Sequence, residues 1–380
     1  MREARASSIG IVGAGVAGLT AAHALRRAGF TVTVLERAPV LRAVGGAMIL
    51  WSNALATLER LGLRAGLLVR PTTQVVARGE FRDTGGELLA SLPIAKLARK
   101  HGAETVVVAR ADLLALLAEH AGAIRFDREL CALRDTGDEV IARFGDGDEM
   151  RFALLIGADG LRSVVREALG AALVIRRAQQ DIWVGTCDGG SLQLSPGVVT
   201  ATVGASRRFW CTLLGDGRVF WYATLPSSEQ VGDLGGLAAQ YAGWHAPIAT
   251  VIARTQVGDA VRTSIKDREP SSVWGAGRVT LVGDSAHAMT PDLGQGACQA
   301  IESASALADS LQMYPDPATA ARDYERRRYA RTADVNRLSW LVAQSSATPS
   351  QSARWLRDTA IRSGLRAAFL TQLDWLFTAS

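Results

Sequence analysis

A glycine pattern near the N-terminus constrains this chain more than any other feature: Gly13-Ala14-Gly15-Val16-Ala17-Gly18. Before it, Ser8 to Val12 reads as a short apolar strand ending at glycine. After it, Val16 to Ala28 reads as an Ala/Leu-rich helix stopped by Gly29, and Thr31 to Leu35 as a β-branched strand ending at Glu36. Strand, turn, helix and strand within about 30 residues make a βαβ unit. Each glycine has a physical job. Gly13 permits the tight turn, Gly15 lets backbone approach a pyrophosphate, and Gly18 lets helix and strand pack closely. The helix N-terminus, at Val16 and Ala17, turns its positive end toward the phosphates. Glu36, 18 residues after Gly18, can accept two hydrogen bonds from a ribose diol, with Arg37 beside it. The motif alone does not separate NAD from FAD.

At 380 residues the chain has room for two lobes at roughly 150 residues per domain. Lys and Arg exceed Asp and Glu by 42 − 37 = 5, too mild a bias for a nucleic-acid partner and compatible with holding a pyrophosphate. The densest basic cluster, Arg326-Arg327-Arg328, lies in a helical pattern and reads as a solvated face. Cys131, Cys187, Cys211 and Cys298 form no close pairs, so we expect a reduced cytoplasmic protein without a metal site. No apolar run reaches about 18 residues, so no integral membrane span is expected. Further on, Asn53 to Leu61 and Asp112 to His120 read as helices, the second capped by Asp112. Ile124 to Phe152 reads as a β-meander, and Thr200 to Val203, Arg208 to Leu214 and Arg218 to Leu225 as strands. Residues from Ala318 onward are helical in pattern, with a break near Pro349.

Two later segments bear on the cofactor. One is Gly157-Ala158-Asp159-Gly160-Leu161-Arg162-Ser163-Val164-Val165-Arg166. The other runs from Gly283-Asp284 through Thr290-Pro291-Asp292-Leu293-Gly294-Gln295-Gly296-Ala297-Cys298. In the latter a strand delivers the Asp284 carboxylate, which could accept from a ribityl hydroxyl. The glycine-rich loop then enters a helix near Gly296, offering free backbone N–H groups to an anion or an electron-rich ring.

Together, and in this order, the three segments resemble the class A flavoprotein monooxygenases, the para-hydroxybenzoate hydroxylase fold. The Thr290-to-Gly296 string looks closest to the branch with urate hydroxylases, zeaxanthin epoxidases and salicylate hydroxylases. The resemblance implies an α/β fold: a Rossmann-like FAD-binding domain at 1–72, 101–174 and 269–317. A β-sheet substrate domain would be inserted at 73–100 and 175–268, with C-terminal helices at 318–380. It implies that Gly13, Gly15, Val16, Ala17, Gly18, Glu36 and Arg37 hold the ADP half of FAD. Asp159 would sit where FAD and NAD(P)H are sensed, and Asp284 at the ribityl chain. Gly294, Gln295, Gly296, Ala297 and Cys298 would lie beneath the flavin ring. Arg110 and Arg42 match basic positions near the cofactor, and His287 belongs structurally to the Gly-Asp motif.

The resemblance also implies the chemistry. NAD(P)H reduces the flavin, O2 forms a C4a-hydroperoxide, and one oxygen atom hydroxylates or epoxidises a small aromatic or other electron-rich substrate. Such an intermediate needs an apolar, water-excluding pocket. Trp210, Thr212, Phe220, Tyr222 and Pro291 are its expected lining, with Arg208 as the catalytic candidate favouring a phenolate. In the urate branch an arginine pairs with a tyrosine on the next strand. Arg208 matches the arginine, but Phe220 stands at the tyrosine position, which argues against urate itself. The competing expectation is a flavin oxidoreductase or flavin-containing cyclase of the same fold with no net oxygen insertion. Partners are a small-molecule substrate, O2 and NAD(P)H, in a monomer or homodimer.

Overall fold

Near-continuous runs of Val, Ile and Leu are what a strand buried on both faces requires; Ser8–Val12 and Leu154–Gly157 are such runs, and five strands in all pair in parallel. In the computed structural model, which describes residues 8–42, 46–171, 174–346, 371 and 374–378, they form a six-stranded sheet. Its order is Gly275–Ala276, Val279–Leu281, Leu154–Gly157, Ser8–Val12, Thr31–Leu35, Ile124–Arg125. Only the edge hairpin at Gly275–Ala276 is antiparallel. Ile11, wholly buried, lies in register with Val34 on one side and Ile156 on the other. The helices Val16–Arg27 and Gly296–Met313 pack directly on each other. The carboxyl ends of the strands therefore deliver Gly13, Asp159 and Asp284 to one edge, where α/β sheets place their ligands.

The second large sheet has seven strands. In order they are Ala260–Arg268, Ile175–Asp188, Arg218–Pro226, Arg208–Leu213, Val198–Val203, Arg78–Arg82 and Leu88–Leu92. Period-two alternation sorts its side chains. Phe209, Trp221 and Trp183 face a core closed by the helices Leu234–Gln240 and Ile248–Arg254, with Tyr241 donating its hydroxyl to Thr224 O at 2.8 Å. The opposite face carries Arg208, Trp210, Phe220 and Tyr222 toward the cofactor half of the molecule. A three-stranded antiparallel meander occupies Leu130–Asp135, Val140–Phe144 and Glu149–Phe152. Met48 and its neighbours in Ala47–Leu50 pair with Val106–Ala109 in a further small sheet.

The helix Pro317–Ser346 spans both large sheets. Tyr324 donates to Leu281 O at 3.0 Å in the first. Near the other end, Asn336 donates to Arg268 O at 3.0 Å, and Trp340 lies 4.3 Å beneath the Arg176 guanidinium of the second sheet. The expected break near Pro349 lies outside the described residues. Among the described residues no helix is long and apolar enough to cross a membrane.

Two local expectations are corrected. The helix Arg110–Ala121 has Ala109 as its N-cap, without a side-chain cap. Asp112 sits inside the first turn, where its carboxylate accepts from Thr72 Oγ1 at 2.7 Å and Thr72 N at 3.2 Å. Tertiary contact wins over the local cap because the Thr72 hydroxyl, while donating to Asp112, also accepts from Ala109 N at 3.0 Å. The Arg326-Arg327-Arg328 run is not one solvated face either. Arg326 is exposed, but Arg328 is 2% exposed and pairs with Glu302 at 2.9 Å while donating to Gln299 at 2.6 Å. Helical geometry turns consecutive residues about 100° apart, so a run of three cannot share a face.

Removing one member of a buried ion pair leaves the other charge uncompensated. Arg328→Ala is expected to destabilise the fold by about 3–5 kcal/mol, and an Arg328→Met/Glu302→Leu double change to recover most of that loss. Denaturant unfolding of the three proteins measures both.

Candidate active site

The Gly13–Gly18 turn is shaped by close approach. Gly13 has φ +107°, and a Cβ there would lie 2.5 Å from Ala158 O. A Cβ on Gly18 would lie 2.0 Å from Gly13 O. A Cβ on Gly15 would meet nothing within 4 Å. Two glycines are thus needed by the fold, and the third borders open space at a helix N-terminus. That helix has no side-chain cap and no acidic residue in its first turn, so its positive end is left for an anion. Glu36 closes the turn: its carboxylate accepts from Ala14 N at 2.8 Å and Ala38 N at 2.9 Å.

Asp159 joins this turn to the Gly283–Asp284 loop. Its Oδ2 accepts from Val164 N at 2.7 Å, and its Oδ1 from Ser285 Oγ at 3.1 Å, while Ser285 Oγ accepts from Gly160 N at 2.9 Å. Asp284 is exposed to solvent, yet desolvation raises its pKa, with Arg110 opposing that rise. A group both accessible and closely surrounded lines a crevice. Arg110 stands across it, its backbone N bonded to Gly46 O at 3.0 Å and its buried Nε without a hydrogen-bond partner. Arg37 and Arg42 are exposed.

His287 is not placed to move protons in the crevice. It is buried, bonded to Ser303 Oγ at 3.0 Å, and packed on Trp274 at 5.3 Å. Burial first, then the neighbouring Arg328 charge, lowers its pKa to about 3.

The loop from Pro291 to the helix Gly296–Met313 presents backbone. Pro291 is exposed, and Gly294, Gly296 and Ala297 are half-buried. Gln295 and Cys298 turn inward: both are wholly buried. Gln295 Oε1 accepts from Asn53 and Gln299, each at 3.1 Å, and Cys298 Sγ accepts from Trp51 N at 3.4 Å. Cys298 can give a cofactor only main chain, whereas Gln295 keeps its Nε2 as a buried donor without a partner.

The seven-stranded sheet meets this loop at Arg208. Its guanidinium lies 2.6 Å from Asp292, whose side chain has no exposed surface, and 3.3 Å from Gln180 Oε1. Burial disfavours the arginine's charge, but Asp292, and then Tyr222, outweigh burial and raise its pKa. Register sets Trp210 opposite Tyr222, their rings stacked at 5.6 Å, and Thr212 opposite Phe220. Thr212 is buried with its hydroxyl on Val198 O at 2.9 Å. Ile49, Met289 and Leu293 extend the apolar wall. The arginine's partners differ from those expected. Thr224, not Phe220, is across from Arg208, and Tyr222, on the same sheet face, interacts with its guanidinium, so losing a hydroxyl at position 220 does not remove a phenol from the site.

The donor set fits FAD on three counts: open space at Gly15, an unpartnered Arg110 Nε, and an accessible carboxylate at Asp284. Comparison with known proteins agrees. A family model described as an FAD binding domain matches residues 6–339. The chain is 34% identical to the aurachin C monooxygenase/isomerase of Stigmatella aurantiaca over 93% of each protein. It is 31% identical to an FAD-dependent urate hydroxylase of Klebsiella pneumoniae over 86% of each. The solved structure of Klebsiella pneumoniae HpxO complexed with FAD and uric acid superposes with a TM-score of 0.90 at 26% identity. It covers 97% of this chain and 96% of that one. The chain belongs to the FAD-dependent monooxygenases of this family.

Sequence reasoning missed Asp292 as a site residue, along with Gln180 and the Ile49–Met289–Leu293 wall. Asp292 lies 84 positions from Arg208, since 292 − 208 = 84, and no local spacing signals such a pair.

Two predictions follow from the turn and the histidine. Gly15→Ala is expected to leave apoprotein stability within about 0.5 kcal/mol while weakening FAD binding in a flavin-fluorescence titration; Gly18→Ala is expected to unfold more readily. For His287, the folded state resists protonation that the unfolded chain accepts. Its contribution to stability is therefore full above pH 6.5 and is lost as pH falls toward about 3. His287→Gln should flatten the pH dependence of unfolding in that window.

Proposed function

We propose that this chain uses FAD, reduced by NAD(P)H, to insert one atom of O2 into a small electron-rich aromatic substrate. The substrate would lie on the sheet face carrying Arg208, Trp210, Phe220 and Tyr222. The observation that carries this reading is the meeting of that aromatic face with the cofactor loop at the Arg208–Asp292 pair, 2.6 Å apart. When bound, the flavin supplies hydride acceptance and oxygen activation; the protein's share is binding, orientation and exclusion of water.

The residues divide that share. Gly13, Gly15 and the first turn at Val16–Gly18 receive the pyrophosphate, Glu36 the adenosine ribose, and Arg110 and Asp284 the phosphate–ribityl region. Gly294, Gly296 and Ala297 offer main chain to the flavin ring. Trp210, stacked on Tyr222, and Phe220, edge-on to Trp210 at 5.5 Å, present an apolar platform that keeps water from the oxygen being transferred. Arg208 donates to a substrate oxygen. Burial holds the Tyr222 hydroxyl protonated, its pKa raised despite the nearby arginine, so it can donate as well. His287 takes no part.

The test follows NAD(P)H oxidation by the holoenzyme under labelled O2 with phenols, indoles, purines and other fused aromatics. One labelled oxygen per NAD(P)H in a product is the expected result. Hydrogen peroxide accounting for all reductant with every aromatic would overturn the reading. Trp210→Ala is expected to shift the partition toward peroxide by about tenfold relative to product, measured on the same reaction.

A further inference from the structure

The cation at the centre of the substrate face is already neutralised. Arg208 has 11% of its side chain exposed and Asp292 none, with 2.6 Å between them. The alternate residues around it in register, Val203, Trp210, Tyr222, Thr224 and Val184, carry no formal charge. Burial keeps the Tyr222 phenol protonated. The face therefore offers hydrogen-bond donors and aromatic surface but no net positive charge.

We infer that the substrate presents Arg208 with an uncharged oxygen: it is a planar ring system bearing a neutral carbonyl, lactam or hydroxyl, and not an aryl carboxylate. This rests on the monooxygenase reading above and specifies its substrate class. A substrate carboxylate would have to give up its hydration and compete with Asp292 for the Arg208 guanidinium. Success would leave Asp292 buried and uncompensated, which is strongly unfavourable. A neutral carbonyl takes a donor from Arg208 without separating the pair, because a guanidinium has five N–H groups to share. It also loses less on leaving water than an anion does. Stacking against Trp210 and Tyr222 supplies the rest of the attraction.

The test uses a matched pair of ligands, 2-quinolone and 2-quinolone-4-carboxylate. Each is titrated into the oxidised FAD holoenzyme without NAD(P)H, with binding read from the visible flavin spectrum. The neutral ligand is expected to bind at least about tenfold more tightly. In Asp292→Asn, where Arg208 is no longer neutralised, the preference is expected to shrink or reverse. If that variant does not retain flavin, Arg208→Met serves instead. It should weaken 2-quinolone by about tenfold and leave the carboxylate no better bound. Equal or tighter binding of the carboxylate by the native enzyme overturns the inference. So does an unchanged ratio in Asp292→Asn, unchanged 2-quinolone binding in Arg208→Met, or no spectral response to either ligand. Oxygen insertion plays no part in these readings. An enzyme that hydroxylates but prefers the carboxylate refutes this inference alone, and one that prefers the neutral ligand but never inserts oxygen refutes the monooxygenase reading alone.

Discussion

A buried ion pair joins the two large sheets where they must cooperate. Arg208 belongs to the middle of the seven-stranded sheet, and Asp292 to the loop leading into the helix Gly296–Met313. Either group alone in that environment is a cost to the fold, because an unpaired buried charge costs several kcal/mol. The pair therefore fixes the distance between the aromatic face and the cofactor loop. A purely apolar contact would permit sliding, whereas a charge pair at 2.6 Å specifies one position. The same two residues set the polarity of that face, so architecture and the proposed selectivity depend on one interaction.

A second set of contacts organises the cofactor side. Asp159 and Ser285 come from different strands of the parallel sheet, and their mutual hydrogen bond locks the Gly157–Gly160 turn to the Gly283–Asp284 loop. With its carboxylate also holding the backbone N–H groups of Val164 and Val165, Asp159 is a structural hub. Asp284 extends from the end of Val279–Leu281 in this sheet, and Arg110, opposite it, from the end of Val106–Ala109 in the small antiparallel sheet.

Much of this was legible in the sequence, for a physical reason. The βαβ unit, the helix beginning at Gly296 and the strands bearing Arg208 and Tyr222 are specified by periodicity and by glycine, which act over a few residues. Gly13, Gly15 and Gly18 were separable into turn, approach and packing roles, and the Cβ environments distinguish them in the same way. The inward turn of Gln295 and Cys298 was not legible, because it depends on Asn53 and Trp51 more than 240 positions away. Nor was the burial of Arg328, whose partner Glu302 lies on another helix. Pairing Arg208 with position 220 failed for a subtler reason. Spacing along a hairpin does not give register, and the observed register brings Tyr222 toward the arginine instead.

The long C-terminal helix completes the constraint. Asn336 donates to Ala288 O at 2.7 Å and to Arg268 O at 3.0 Å, tying the cofactor loop to the last strand of the substrate sheet. One turn on, Ser339 donates to Thr290 O at 2.8 Å. These bonds restrain the loop just before Pro291, while Arg208 restrains it at Asp292. The intervening backbone is thus held on both sides. In the proposed site, fit would then rest largely on the ligand's own shape and on the side chains of the aromatic wall. In that proposed site, a restrained loop next to a neutralised arginine would discriminate by shape and hydrogen bonding rather than by charge.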